Sequence, residues 1–159
     1  MQAEPTEHHA WLKRFVGEWE FDSECGEPGG EQFRMAGREV FRQIGELWVV
    51  GEATTDDRSS GPMQSIVTIG YDPIKGHYVG SWIGTPMAQL VVYSGQLNDA
   101  GDAIPFDAEA PSFEDPTKLA QYRDTYGFIS EDERYLRSAL LGEDGSWTQF
   151  MEIVYRRVS

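Results

Sequence analysis

Apolar positions recur at helical spacing only once in this chain. Trp11, Leu12, Phe15 and Val16 fall on one face of a short segment, with Lys13 and Arg14 off it. Thr6 can cap such a helix, Glu7 suits the positive end of its dipole, and Gly17 stops it. The pattern predicts a helix over about 6–16. After Gly17 the period changes to two and does not change back. Strand-like runs follow at about 17–24, 32–44, 47–55, 64–72, 77–84, 88–98, 103–110, 119–129, 134–141 and 147–158. Turn signals separate them: "GEPGG" at 26–30, "IGE" at 44–46, "DDRSSGP" at 56–62, "DPIKG" at 72–76, "GTP" at 84–86, "NDAGD" at 98–102, "SEDE" at 130–133 and "GEDG" at 142–145. Residues 111–118, "PSFEDPTK", form the one longer loop.

About ten consecutive strands without crossover helices imply an antiparallel meander. A twisted sheet of that width tends to curl and close, and closure removes its edges. The predicted fold is therefore all-β: an antiparallel up-and-down β-barrel of about ten strands over 17–158, with the short helix closing one end. The 159 residues suffice for one domain spanning 1–159. A barrel of that many strands is too wide to fill with side chains, so a cavity is expected.

Alternation also assigns faces. In 33–43, Phe33, Met35, Gly37 and Phe41 share a face with Glu39, opposite Arg34, Arg38 and Arg42. In 119–129, Ala120, Tyr122, Tyr126 and Phe128 share a face with Asp124. Both carboxylates thus point inward. The faces of 134–141 read either way; one reading joins Tyr135, Arg137, Ala139 and Leu141 and makes Arg137 the inward counter-charge. A buried, unpaired carboxylate is costly and titrates high, so Glu39 and Asp124 should pair, bind water or serve a ligand. Tyr71, Tyr78, Trp82, Tyr93 and Trp147 read as core or lumen wall, and Met63, Met87 and Met151 suit a soft pocket.

Charge narrows the partners. The formal net charge is −14, with acidic runs at 22–31, 107–115, 131–133 and 143–144 and no basic patch against them. Nucleic acid and anionic membrane surfaces would be repelled. The single cysteine, Cys25, allows no internal disulfide and fits a reducing cytoplasm. Glu24 and Glu27 beside it should raise its thiol pKa, which disfavours a nucleophilic role. The N-terminus has no signal-peptide pattern, and no apolar run approaches the ~20 residues of a membrane helix. His8 and His9 have no further ligand at zinc spacing, and His77 stands alone near a turn, so no metal site is expected.

Gly17-x-Trp19 on the first strand, preceded by a short helix, resembles the calycin barrels: lipocalins, fatty-acid-binding proteins and nitrobindin-like proteins. In lipocalins the tryptophan lies across the closed end and an arginine of the last strand stacks on it. That resemblance gives Gly17, Trp19 and Arg157 a barrel-closing role, with Arg156 the neighbouring candidate. Nitrobindin-like barrels hold haem through a histidine on a late strand, and no histidine follows His77, so no cofactor is expected. A wider resemblance rests on Leu12…Gly17-x-Trp19, "GREVFRQIGELWVVGE", Gly70-Tyr71-Asp72-Pro73, Tyr78-Val79…Trp82, Tyr93…Gly95 and Met151-Glu152…Tyr155-x-Arg157. Together these resemble the bacterial family catalogued as domain of unknown function 1579, which implies a lipocalin-like barrel and no established activity.

Three readings of function follow. The first is binding of a small, hydrophobic or amphipathic molecule in the lumen, with Glu39, Tyr71, Trp82, Tyr93, Tyr122, Asp124, Arg137 and Met151 as the candidate contacts. The second is a barrel enzyme using Glu39 or Asp124 as acid or base. The third is a scaffold or homodimer whose outer wall makes the contacts. The residues favour a binding protein over an enzyme, and no catalytic set is assigned.

Overall fold

The computed structural model describes residues 2–26, 30–57 and 61–159. Parts of two turn signals, 27–29 and 58–60, lie outside the described residues. Thr6 caps a short helix α1 (Glu7–Trp11): its hydroxyl accepts the His8 N–H at 3.2 Å, and its own N–H donates to His9 Nδ1 at 2.9 Å. A 3₁₀ turn over Leu12–Phe15 continues it. Ten strands follow: β1 (Gly17–Gly26), β2 (Gln32–Ile44), β3 (Trp48–Asp57), β4 (Gly61–Asp72), β5 (His77–Gly84), β6 (Val91–Gly95), β7 (Ala103–Pro111), β8 (Leu119–Ser130), β9 (Glu133–Leu141) and β10 (Trp147–Arg157). Each pairs antiparallel with the next, and β1 pairs with β10 to close the barrel.

The expected strand over 88–98 is shorter in the structure, and side chains explain both ends. Asn98 Oδ1 accepts the N–H groups of Asp102 and Ala103 at 3.0 and 3.2 Å, so the chain turns there rather than extending the ladder. At the other end the Met87 N–H donates to the Gly84 carbonyl, folding 85–90 back across the barrel end.

The closing seam is short. Only Trp19, Phe21 and the intervening Glu20 of β1 register against Arg157, Tyr155 and Arg156 of β10. Beyond Phe21, side chains take over from the ladder: Ser23 Oγ accepts the Val154 N–H at 3.1 Å, and Cys25 Sγ donates to the Glu152 carbonyl at 3.6 Å. The Cys25 thiol pKa is raised, first by burial and then by the Glu152 charge. The direction matches the sequence reading, but burial and a residue far along the chain cause it; Glu27 lies outside the described residues.

The two barrel ends differ. At the helix end Leu12, Phe15, Trp19 and Phe41 are almost wholly buried, and the Phe15 ring sits 5.0 Å from Phe41 and 4.9 Å from Phe128. His9 pins the helix to β4, its Nε2 donating to the Tyr71 carbonyl at 3.0 Å because Nδ1 is taken by Thr6. Trp11 Nε1 donates to the Gly101 carbonyl at 3.0 Å, holding the β6–β7 turn against the same plug. The opposite end, where β1, β3, β5, β7 and β9 finish, carries no helix among the described residues. No helix among the described residues is long and apolar enough to cross a membrane.

Phe15→Ala is expected to lower stability by about 3–5 kcal/mol in a denaturant titration. Lys13→Ala, on the exposed face of the same turn, should stay within about 0.5 kcal/mol.

Candidate functional site

Inward positions of the strands leave a cavity of about 300 Å³ in the half of the barrel away from the helix. Its wall is mostly apolar and aromatic: Phe21, Trp82, Val91, Tyr93, Ala108, Tyr122, Tyr126, Ile153 and Tyr155 contribute to it. Every methionine except Met1 also lines it, namely Met35, Met63, Met87 and Met151. A bulge between Gln149 and Met151 lets two consecutive side chains, Phe150 and Met151, reach the cavity. Pro86, Pro111 and Phe113, from the two loops at the open end, complete its mouth.

Two carboxylates face this space, and their surroundings differ. Glu39, 6% exposed, pairs with Arg134, which is 0% exposed. The Arg134 guanidinium lies 3.8 Å from the Tyr155 ring centre, 4.7 Å from Trp19 and 5.0 Å from Phe41. Among the described residues its Nε and Nη1 have no hydrogen-bond partner, and aromatic rings surround the group. The pair joins β2 to β9 across the barrel and forms the cavity floor.

Asp124 has hydroxyl partners instead. Tyr93 Oη donates to its Oδ2 at 2.6 Å, and the Ser138 hydroxyl bonds it as well. Tyr93 and Tyr126 hydroxyls sit 3.2 Å apart. No cation pairs with Asp124 among the described residues. It lies deep in the barrel, and the surface it keeps is turned to the cavity. Burial raises its pKa, against the lowering effect of the two hydroxyl bonds. Burial likewise pushes the Tyr93 and Tyr126 phenols well above their ordinary value, so both stay neutral donors.

Of the residues expected to meet a ligand, Glu39, Trp82, Tyr93, Tyr122, Asp124 and Met151 line the cavity. Tyr71 does not. It sits under the helix, stacked on His8 at 4.0 Å and 4.9 Å from Tyr78. Arg137 is a correction of a different kind: it points outward, pairing with Glu152 at 2.6 Å and lying 3.9 Å from the Tyr135 ring. The register of β9 against β8 decides this, because Ser138 stands opposite inward Asp124 and Arg134 opposite inward Phe128. Arg134, Leu136 and Ser138 therefore face in, and Arg134 is the interior cation. Sequence reasoning missed it because the alternation of 134–141 carries apolar residues on both faces. The period-two continuation from Asp124 through the short β8–β9 turn held the only available signal.

At the closed end Trp19 Nε1 donates to the Phe15 carbonyl at 2.8 Å, and the Arg157 guanidinium lies 4.3 Å from the Trp19 ring centre. Arg157 also donates to the carbonyls of Arg14, Val16 and Glu131. Gly17 makes room for it: at φ 138° a Cβ there would collide with Arg157 Nη1 and stand 2.7 Å from the Ser159 carbonyl. On the outer wall Arg34, Arg38 and Arg42 pair with Asp22, Glu20 and Glu52. Among the described residues no group of three or more His, Cys, Asp or Glu is placed to hold a metal ion.

A closed ten-stranded antiparallel barrel with a helix plug and an internal cavity is a lipocalin-like, calycin-type barrel. Within that class, the chain belongs to the family described as protein of unknown function (DUF1579), which matches residues 4–157. Among solved structures it resembles Rv2717c from M. tuberculosis, with a TM-score of 0.69 at 14% identity, covering 98% of this chain and 100% of that one. It also resembles the S-type phycobiliprotein lyase CPES from Guillardia theta, with a TM-score of 0.57 at 10% identity, covering 98% of this chain and 99% of that one. At such identities the likeness is one of fold. No curated protein matches the chain in sequence.

Two tests follow from the interior charges. Glu39→Gln or Arg134→Met alone should cost about 3–5 kcal/mol of stability, since each leaves a buried charge or donor set unpaired, while the double change Glu39→Leu/Arg134→Met recovers most of that loss. Asp124 is packed by Tyr93 of β6, Phe106 of β7, Tyr126 of β8 and Ser138 of β9, with the Glu39–Arg134 pair deeper. Its folded pKa is raised, so between the unfolded value near 3.8 and the raised value the folded state holds more protons. Its contribution to stability is full below that window and falls as pH rises through it. Asp124→Asn should flatten that fall in thermal melts taken across pH.

Proposed function

We propose that this barrel binds a small, largely apolar molecule in its lumen. The carrying observation is the 300 Å³ cavity itself, walled by aromatics and four methionines. Sites of this kind, concave and apolar with a few convergent polar groups, are the usual form of small-molecule pockets. A cavity of about 150 Å³ accommodates benzene, so twice that volume suits about 12 non-hydrogen atoms. Glu39, Trp82, Tyr93, Tyr122, Asp124 and Met151 are the proposed contacts. The flexible methionines let the wall adapt to shape.

Asp124 favours a second reading, acid–base catalysis on the bound molecule, because its raised pKa and cavity position meet the first requirements of such a group. Glu39 is less suited to it, being held by Arg134. Binding is the reading we prefer: the Tyr93 and Ser138 hydroxyls beside Asp124 serve as its hydrogen-bond donors, and the other wall carboxylate, Glu39, is held by Arg134. A charge of −14 disfavours nucleic acid and anionic membranes as partners, and one buried thiol without a disulfide fits a reducing cytoplasm.

Indole, a neutral molecule within the size limit, should bind the protein with one site in calorimetry. Ala108→Phe, which places a ring in the lumen, should abolish that heat while leaving the far-ultraviolet circular dichroism intact. Indole binding unaffected by the filled lumen would place the site elsewhere and end this reading.

A further inference from the structure

The charges inside the barrel do not balance. Two carboxylates, Glu39 and Asp124, face the lumen, and one guanidinium, Arg134, is committed to Glu39. Asp124 is left with hydroxyl donors only, from Tyr93 and Ser138. Those bonds orient the carboxylate and favour its ionised form, but they bring no opposite charge. Deep in an apolar wall, an uncompensated carboxylate must either take up a proton or meet a cation.

The aromatic surroundings fit the second outcome. Tyr93 and Phe106 stack at 5.0 Å, and Tyr126 stands edge-on to both at 5.8 Å. Phe106 backs the wall, and Tyr93, Tyr126, Trp82 and Tyr122 line the same cavity as Asp124. Aromatic faces attract ammonium groups, more strongly when water is excluded. The Tyr93 phenol and the Ser138 hydroxyl, which already donate to Asp124, leave the remaining carboxylate lone pairs for an N–H donor. From Asp124 toward the mouth the wall is largely methionine, phenylalanine and proline among the described residues, which suits an apolar body. The strongly acidic exterior raises the local concentration of cations at that mouth.

We propose that the lumen takes an amphipathic amine, with its ammonium group against Asp124 among the Tyr93, Tyr126 and Trp82 rings and its apolar body extending to the methionine-lined mouth. This rests on the lumenal reading above and adds the charge of the ligand. A primary alkylamine stays protonated at neutral pH, as a lysine does. Ionised Asp124 is then the binding form, so the amine's affinity climbs with pH through the Asp124 titration, and the protein releases a proton on binding at lower pH.

The test is a matched series: 4-phenylbutylamine, 4-phenylbutan-1-ol and 4-phenylbutyrate, titrated against the full chain by calorimetry. The amine should bind about tenfold or more tighter than the alcohol, and the carboxylate weakest. Asp124→Asn should remove the amine's advantage over the alcohol. Should that variant not fold, the wild-type pH series decides: amine affinity rising with pH while alcohol affinity stays flat supports the proposal. Alcohol binding as tight as the amine, or an amine preference that survives Asp124→Asn, overturns the charge assignment and leaves lumenal binding standing. No binding by any member, together with no indole binding, overturns both.

Discussion

The structure depends on one guanidinium without access to water. Arg134 carries a full charge at 0% exposure, and every feature of the barrel interior is arranged around it. Glu39 neutralises it from the opposite side of the barrel, 95 residues earlier in the chain. Tyr155, Trp19 and Phe41 present their rings to the guanidinium. Desolvating such a pair is expensive, and its net worth over a hydrophobic equivalent is small. Its value lies in geometry: the charges meet because β2 and β9, which are not neighbours in the sheet, both turn these side chains into the interior. The pair also divides the interior. Below it the aromatic plug of the helix end is solid, and above it the lumen is open.

That division explains why the second carboxylate is different in kind. Asp124 stands above the floor, where the wall has turned apolar and the cation below is already engaged. Its hydroxyl partners hold its direction without cancelling its charge. A group in that position is poised between protonation and pairing with a cation. The same wall carries methionines, whose unbranched thioethers reshape at little cost.

The helix and the last strand secure the closed end by polar contacts as much as by packing. Trp19 is held by the Phe15 carbonyl and covered by Arg157, while Arg157 ties together the 3₁₀ turn, the start of β1 and the β8–β9 turn. His9 and Trp11 fix the helix to β4 and to the β6–β7 turn. This demand on the helix end is why Tyr71, an aromatic that reads as lumen wall, serves under the helix instead.

The chain's alternation determined the fold by itself. A period of two, broken at regular intervals by glycine, proline, asparagine and aspartate, is a local property, and each strand carries its own evidence of it. Closure followed from strand count, and the inward direction of Glu39, Tyr122 and Asp124 followed from one-sided apolar patterns. What alternation could not settle were the strands whose two faces are alike and the contacts that join distant segments. Arg134 and Arg137 are separated by one step of register, and only pairing with β8 assigns one to the core and the other to solvent. The bulge that turns Phe150 inward, the asparagine that ends β6 early, and the meeting of Glu39 with Arg134 are tertiary facts for the same reason. Each depends on where another strand lies, and a single strand's pattern contains no record of its neighbour's register.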